Sequence, residues 1–145
     1  RLDGVRAGSA ILGRCRRTRD DRLKTVGYGE APLAEARWLP KGHSLGTDRP
    51  IVLKKPPRIA VLPVGYQNGF GVFRPRETGF LALCARWRQA RNRTVRIGDQ
   101  KARVMGPIGA TETLLNVTNM KCSAGDLATF DIDPIFAKGF VREYR

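Results

Sequence analysis

The amino-acid sequence predicts an all-β fold, a small β-barrel with one inserted amphipathic helix around residues 79–93. The chain has 145 residues, the length of one ordinary domain, and 41% of them are hydrophobic, which argues against disorder. Short apolar and β-branched segments follow one another with turn residues between them, a spacing typical of small barrels and sandwiches. The six predicted strands are residues 34–39, 58–64, 94–97, 101–105, 113–118 and 127–132.

Each predicted strand is indicated by features of its own segment of the sequence. Pro40 and Gly42 turn the chain after the first one. The second is an apolar run without alternation, which indicates a strand covered on both faces. The third and fourth alternate on either side of a turn at residues 98–100, a pattern that predicts a β-hairpin. The last two are short β-rich segments separated by the polar stretch 121–126.

The segment 79–93 has the periodicity of a helix, with Thr78 available to cap it. Its apolar residues are spaced i, i+3, i+4 and i+7, and arginines fill the other face. The apolar set is Phe80, Leu83, Cys84 and Trp87, and the arginines are Arg86, Arg88, Arg91 and Arg93. Two interpretations stay open: a nucleic-acid or membrane-surface element, or a solvated face above a covered apolar stripe.

Composition narrows the function classes. Twenty-seven Lys and Arg against 13 Asp and Glu leave a net charge of +14, which favours non-specific binding of polyanions. Three scattered cysteines without a C-x-x-C pair argue against a disulfide framework or zinc site and fit a reducing compartment, so we expect a cytoplasmic protein. The longest apolar run is too short to cross a bilayer, so no membrane partner is expected. His43 is the single histidine, which excludes mechanisms that need two within this chain.

Ordered motifs along nearly the whole chain, apart from residues 72–93, resemble the alanine racemase family. They are VRAG (5–8), WLPKG (38–42), AVLPVGYQNG (60–69), KARVMGPIG (101–109), LNVTN (115–119), AGD (124–126) and REY (142–144). In that family a (β/α)₈ barrel holds pyridoxal phosphate on a lysine and a β domain follows it. The resemblance implies that residues 1–13 are the end of such a barrel. Residues 14–145 would then be the C-terminal β-barrel domain, with residues 72–93 as an insertion.

The same resemblance implies roles for individual residues. Arg6 matches the arginine that meets the cofactor's pyridine nitrogen, and a guanidinium that keeps its proton leaves the ring a moderate electron sink. Gly8 and Ser9 match positions whose backbone amides hold the cofactor phosphate. Tyr66 matches a tyrosine that the β domain extends into the partner subunit's active site, which implies a homodimer.

Two site segments depart from the family pattern. Racemisation there uses two bases, the cofactor lysine and a tyrosine of the other subunit, and Thr47 falls at the tyrosine position. A threonine hydroxyl is a poor general acid or base at neutral pH, and His43 or Asp48 are conceivable replacements. In the substrate loop, Ala110 falls at a methionine position and Thr111 at an aspartate position. These changes indicate that the parent's racemase activity is lost, changed or relocated.

The leading hypothesis is the C-terminal domain of an alanine racemase-like, pyridoxal-phosphate-dependent isomerase acting on a small amino acid. It would complete the active site of a partner subunit. Pyridoxal phosphate is expected in the full-length protein and not in this fragment, which should lack the cofactor lysine and be inactive alone. The alternatives are a basic β-barrel that binds nucleic acid and a non-catalytic dimer platform. Aromatic residues make up only 8% of the chain, which counts against base stacking and hence against the first alternative.

Overall fold

A computed structural model describes residues 3–4, 8, 10–14, 23–45, 51–72 and 93–144. These residues contain nine β-strands and one short 3₁₀ turn. The strands are β1 (Tyr28–Pro32), β2 (Glu35–Trp38), β3 (Ser44–Leu45), β4 (Ile51–Val52), β5 (Arg58–Leu62), β6 (Thr94–Ile97), β7 (Gln100–Val104), β8 (Thr113–Asn116) and β9 (Leu127–Asp131), and the 3₁₀ turn is Tyr66–Asn68.

Seven strands form one antiparallel sheet in the order β1-β9-β6-β7-β8-β5-β2, and β3 and β4 form a separate hairpin. The two edge strands, β1 and β2, are joined by Leu33 and Ala34 alone. The Leu33 amide donates to the Asp126 carbonyl beside β9, and the Ala34 amide donates to the Val61 carbonyl on β5, each at 2.9 Å. The sheet therefore curls until its edges nearly meet, which confirms the predicted all-β, barrel-like fold.

The inner face of the curled sheet carries the main hydrophobic core. Side chains alternate in and out along the strands, as in β6, where Val95 and Ile97 are buried and their neighbours are exposed. The Phe130 ring packs edge-on against Phe70, with ring centroids 5.1 Å apart. A Cβ at Gly29 would lie 2.4 Å from the Phe130 ring, so only glycine leaves room for this aromatic pair.

A second, smaller apolar cluster lies on the outer face of β5 and β8, beneath the β3–β4 hairpin. Its buried members are Leu39, Leu53 and Ile59, and Leu45, Met105 and Leu114 pack against them. On β5, Ile59 faces this outer cluster, whereas Ala60 and Leu62 face the core. The prediction that this strand is covered on both faces is therefore confirmed.

All six predicted strands are present, with ends that differ by at most two residues. Nothing described supports the inserted helix predicted around residues 79–93. Residues 79–92 lie outside the described part of the chain, and Arg93 precedes β6 without helical conformation. Within the described ranges, no helix has the length and apolarity needed to cross a membrane.

Candidate functional site

The end of β5 leads into a tightly held turn that presents Tyr66. The Gly65 amide donates to Asn68 Oδ1 and the Asn68 amide donates to the Gly65 carbonyl, both at 3.1 Å. The turn is also tied to the C-terminal segment, because the Lys138 amide donates to the Asn68 carbonyl at 3.1 Å and Asn68 Nδ2 donates to the Lys138 carbonyl at 3.3 Å. Tyr66 itself is 53% exposed, so a fixed backbone carries an accessible phenol.

The loop between β7 and β8, residues 105–112, carries Ala110 and packs directly against this turn. The Tyr66 amide donates to the Gly109 carbonyl at 2.9 Å, and the Gln67 amide donates to the Ala110 carbonyl at 3.0 Å. A Cβ at Gly65 would lie 2.3 Å from both of those carbonyl oxygens, so the close approach requires glycine. The structure thus brings together Tyr66 and Ala110, which lie 44 positions apart in the sequence.

A buried hydroxyl that sequence analysis missed supports the same junction. Thr113 is the buried polar residue of the described core, and its Oγ1 donates to the Val64 carbonyl at 2.7 Å. This bond joins the first residue of β8 to Val64, which lies two residues beyond the end of β5 and directly before Gly65. The sequence signal, a threonine within a β-rich segment, does not reveal which distant carbonyl the hydroxyl meets.

The remaining predicted site residues are only partly described. The Gly8 carbonyl accepts a hydrogen bond from the Ile11 amide at 3.1 Å, and a Cβ at Gly8 would meet nothing within 4 Å. His43 is exposed, and its carbonyl accepts from the Leu53 amide at 3.0 Å. Thr111 is exposed beside Ala110. The residues Arg6, Ser9, Thr47 and Asp48 lie outside the described part.

A cleft of about 560 Å³ separates the β3–β4 hairpin from the outer face of the sheet. It lies beside the loop that carries Ala110, since Glu112 lines it and the Glu112 carbonyl accepts from the Gly109 amide at 3.0 Å. Its apolar lining is Ala34, Leu39, Leu45, Ile59, Val61 and Leu114, and its polar lining is Glu35, Arg37, His43 and Glu112.

A second cleft, of about 350 Å³, surrounds Cys122, and two of its charged side chains, Arg58 and Asp126, are already held by hydrogen bonds. The Arg58 guanidinium donates to the carbonyls of Met120 and Cys122, at 3.0 and 2.7 Å, and Asp126 accepts from the Ser123 amide at 2.7 Å. Burial raises the pKa of the Cys122 thiol, which keeps it protonated at neutral pH and unsuited to nucleophilic attack. Among the described residues, no group of three His, Cys, Asp or Glu side chains is placed to hold a metal ion.

Comparison with known proteins identifies the family. The family model described as "Alanine racemase, C-terminal domain" matches residues 26–133, most of the chain. The chain therefore belongs to the alanine racemase C-terminal domain family. The match includes the Tyr66 turn, the loop around Ala110 and every strand of the sheet.

A curated relative and several solved structures agree with this assignment. A lysine racemase from Proteus mirabilis is 35% identical over 69 residues, which are 48% of this chain and 16% of that protein. The alanine racemase of Clostridium difficile 630 superposes with a TM-score of 0.64 at 20% identity, over 92% of this chain and 32% of that one. The alanine racemase of Bartonella henselae, solved with covalently bound pyridoxal phosphate, superposes with a TM-score of 0.59 at 23% identity. The match covers 88% of this chain and 32% of that one. At these identities the solved structures establish the fold, and this chain spans about a third of their length.

Proposed function

We propose that this chain is the C-terminal domain of a larger, pyridoxal-phosphate-dependent amino-acid racemase, an isomerase, and that it completes the active site of a partner subunit in a homodimer. The observation that carries the proposal is the pairing of the exposed Tyr66 with the Ala110 loop through two backbone hydrogen bonds. Family membership and the racemase activities named for its relatives support it. On this proposal, residues 1–13 are the end of an upstream barrel and the protein is cytoplasmic.

The tightly held turn suits a residue that must meet a substrate presented by another subunit. Hydrogen bonds within the turn, to Lys138 and to the Ala110 loop fix the Tyr66 backbone before any ligand arrives. Such preorganisation lowers the entropy lost when a hydroxyl and a reacting group are brought into line. We therefore assign the binding and orientation of the substrate to Tyr66. The small side chain of Ala110 would leave room for the substrate beside Tyr66.

In this proposal, binding of the cofactor requires residues beyond those that the structure describes. A Cβ at Gly8 would have no neighbour within 4 Å, so the described residues do not enclose a phosphate there. In the full-length protein, Arg6, Gly8 and Ser9 remain the proposed contacts to pyridoxal phosphate, together with residues of the upstream domain. The 145-residue chain alone is expected to bind no cofactor and to racemise no amino acid.

The direct test uses the full-length polypeptide loaded with pyridoxal phosphate. Racemisation of alanine and of lysine is followed by chiral chromatography, since relatives named for both substrates are known. Tyr66→Phe should lower kcat/KM about tenfold or more, because it removes one oriented hydroxyl. Tyr28→Phe is the matched control, since Tyr28 is similarly exposed but lies on edge strand β1, outside both the Tyr66 turn and the loop that carries Ala110. Equal activity of the two variants would refute the role of Tyr66.

A hybrid-dimer experiment tests whether the site is shared between subunits. A Tyr66→Phe subunit is mixed with a subunit inactivated in its upstream cofactor domain. If each active site combines one subunit's β domain with the other's cofactor domain, half of the hybrid's sites are intact and activity returns. Activity that never exceeds that of the two parents would show that Tyr66 does not serve the partner's site. Turnover by the 145-residue chain with pyridoxal phosphate would refute its proposed dependence on an upstream domain.

A further inference from the structure

We propose that the cleft between the β3–β4 hairpin and the outer sheet face binds a small aliphatic amine, the chemistry shared by diamines and basic amino acids. Its volume of about 560 Å³ lies within the range of sites that hold small molecules. The cleft combines an apolar floor with carboxylates at its sides. A hydrocarbon stem that ends in an ammonium group matches both features.

The floor of the cleft is built by paired strands. Register places Glu35 of β2 opposite Val61 of β5, and Val61 opposite Leu114 of β8. Ile59, two residues before Val61, is buried beneath the hairpin and lines the same cleft. Leu45 of β3 adds the opposite wall. Because strand pairing fixes these side chains, the apolar surface exists before a ligand arrives.

The charges around the cleft favour a cation. Arg37 Nε lies 3.2 Å from Glu35 Oε1, so these two charges offset each other. Glu112 forms no ion pair with any residue in the described ranges. Among the described lining residues, one carboxylate is thus left without a paired charge, on a chain whose net charge is +14. An ammonium group would compensate Glu112, whereas a ligand with only negative charge, such as phosphate, would be repelled locally.

His43 makes the proposal directly measurable. It lines the cleft and is the single histidine of the chain, so its imidazole proton resonances are an unambiguous probe of binding. The 145-residue chain is titrated with 1,5-diaminopentane, with L-lysine and with 1,5-pentanediol, a neutral analogue of the diamine. We expect a saturable shift of the His43 signals with the amines and binding at least about tenfold weaker with the diol. Diamine and lysine affinities then distinguish a diamine from a basic amino acid as the source of the ammonium group.

Substitutions test the charge argument. Glu112→Gln should weaken amine binding about tenfold, and Glu35→Gln, which frees Arg37, should weaken it as well. The matched control is Glu30→Gln, because Glu30 is exposed on β1 and does not line the cleft. Equal binding of diol and diamine, or unchanged amine binding in both cleft variants, would overturn the proposal. Binding is measured here without turnover, so its failure and the failure of the proposed racemase function are separate results.

Discussion

Gly65 is the residue on which the candidate site depends most directly. Its φ of −137° is open to any amino acid, so the requirement for glycine is purely steric. An alanine methyl would lie 2.3 Å from the carbonyl oxygens of Gly109 and Ala110. Gly65→Ala should therefore push the loop off the Tyr66 turn and lower the free energy of unfolding by about 2 kcal/mol. Urea denaturation measures this loss.

Gly4→Ala is the control for that substitution. A Cβ at Gly4 would meet nothing within 4 Å, and its φ lies outside the left-handed region. Its free energy of unfolding should stay within about 0.5 kcal/mol of the parent chain. If Gly65→Ala were as stable as Gly4→Ala, the close packing of the turn against the Ala110 loop would be contradicted.

At the level of elements, Arg14 joins the segment 10–14 to the ends of two strands. Its guanidinium donates to the carbonyls of Gly27 and Ile132, at 2.9 and 2.8 Å, and to Asp131 Oδ1 at 2.6 Å. Arg14→Ala would leave these acceptors without their donor, and we expect a loss of about 1–3 kcal/mol in unfolding free energy. Arg14→Lys should recover part of that loss, because the three acceptors surround one nitrogen, Nη2, and an ammonium also carries several N–H donors.

Hydrogen exchange gives a local readout of the Arg14 contacts. The Val26 amide donates to the Leu12 carbonyl at 3.0 Å, so it should exchange faster in Arg14→Ala if the segment detaches. Arg96→Ala is the control, since Arg96 lies on the exposed face of β6, 4.0 Å from a fully exposed Asp99, and such pairs contribute little. Unchanged Val26 exchange would mean that the segment is held by other contacts.

The predicted strands have longer runs of alternating or apolar residues than the strands that the sequence did not predict. The β6–β7 hairpin alternates over both arms around a turn, and β5 is a continuous apolar run, so both were predictable locally. The strand β1 contains Gly29 and Pro32, residues that disfavour strands, and its partner β9 begins about a hundred positions later. The strands β3 and β4 have two residues each, too few for any periodicity.

The candidate site was predictable in its members but not in its geometry. The motif resemblance marked Tyr66 and Ala110 separately, while their contact follows from the pairing of β5 with β8 and from backbone hydrogen bonds that no side-chain pattern reveals. The cleft beneath the hairpin escaped prediction for the same reason, because it forms only after β2, β5 and β8 become neighbours. Roles assigned to Arg6, Ser9 and Thr47 stay predictions.

For the whole molecule, the net charge of +14 raises the alternative of a nucleic-acid-binding module. Part of the charge is concentrated on the outer sheet face, where Arg96 of β6 lies directly opposite Lys101 of β7 and Arg103 follows two residues later. Like charges in directly opposed positions repel, so a polyanion would be attracted to this face. No base-reading element accompanies these cations on the described strands, which predicts binding through the phosphate backbone alone.

Fluorescence anisotropy with two unrelated duplex sequences measures that expectation. Both duplexes should bind with the same affinity within about twofold. If the three cations each contact one phosphate, affinity should fall about fortyfold between about 50 and about 200 mM salt. Each contact contributes about −0.9 to the slope of log affinity against log salt concentration. Lys101→Ala should make that slope shallower by about 0.9, the contribution of one phosphate contact. Heparin should compete with either duplex. Discrimination between the duplexes by more than about tenfold would instead favour a sequence-reading module, since counterion release alone carries no sequence information.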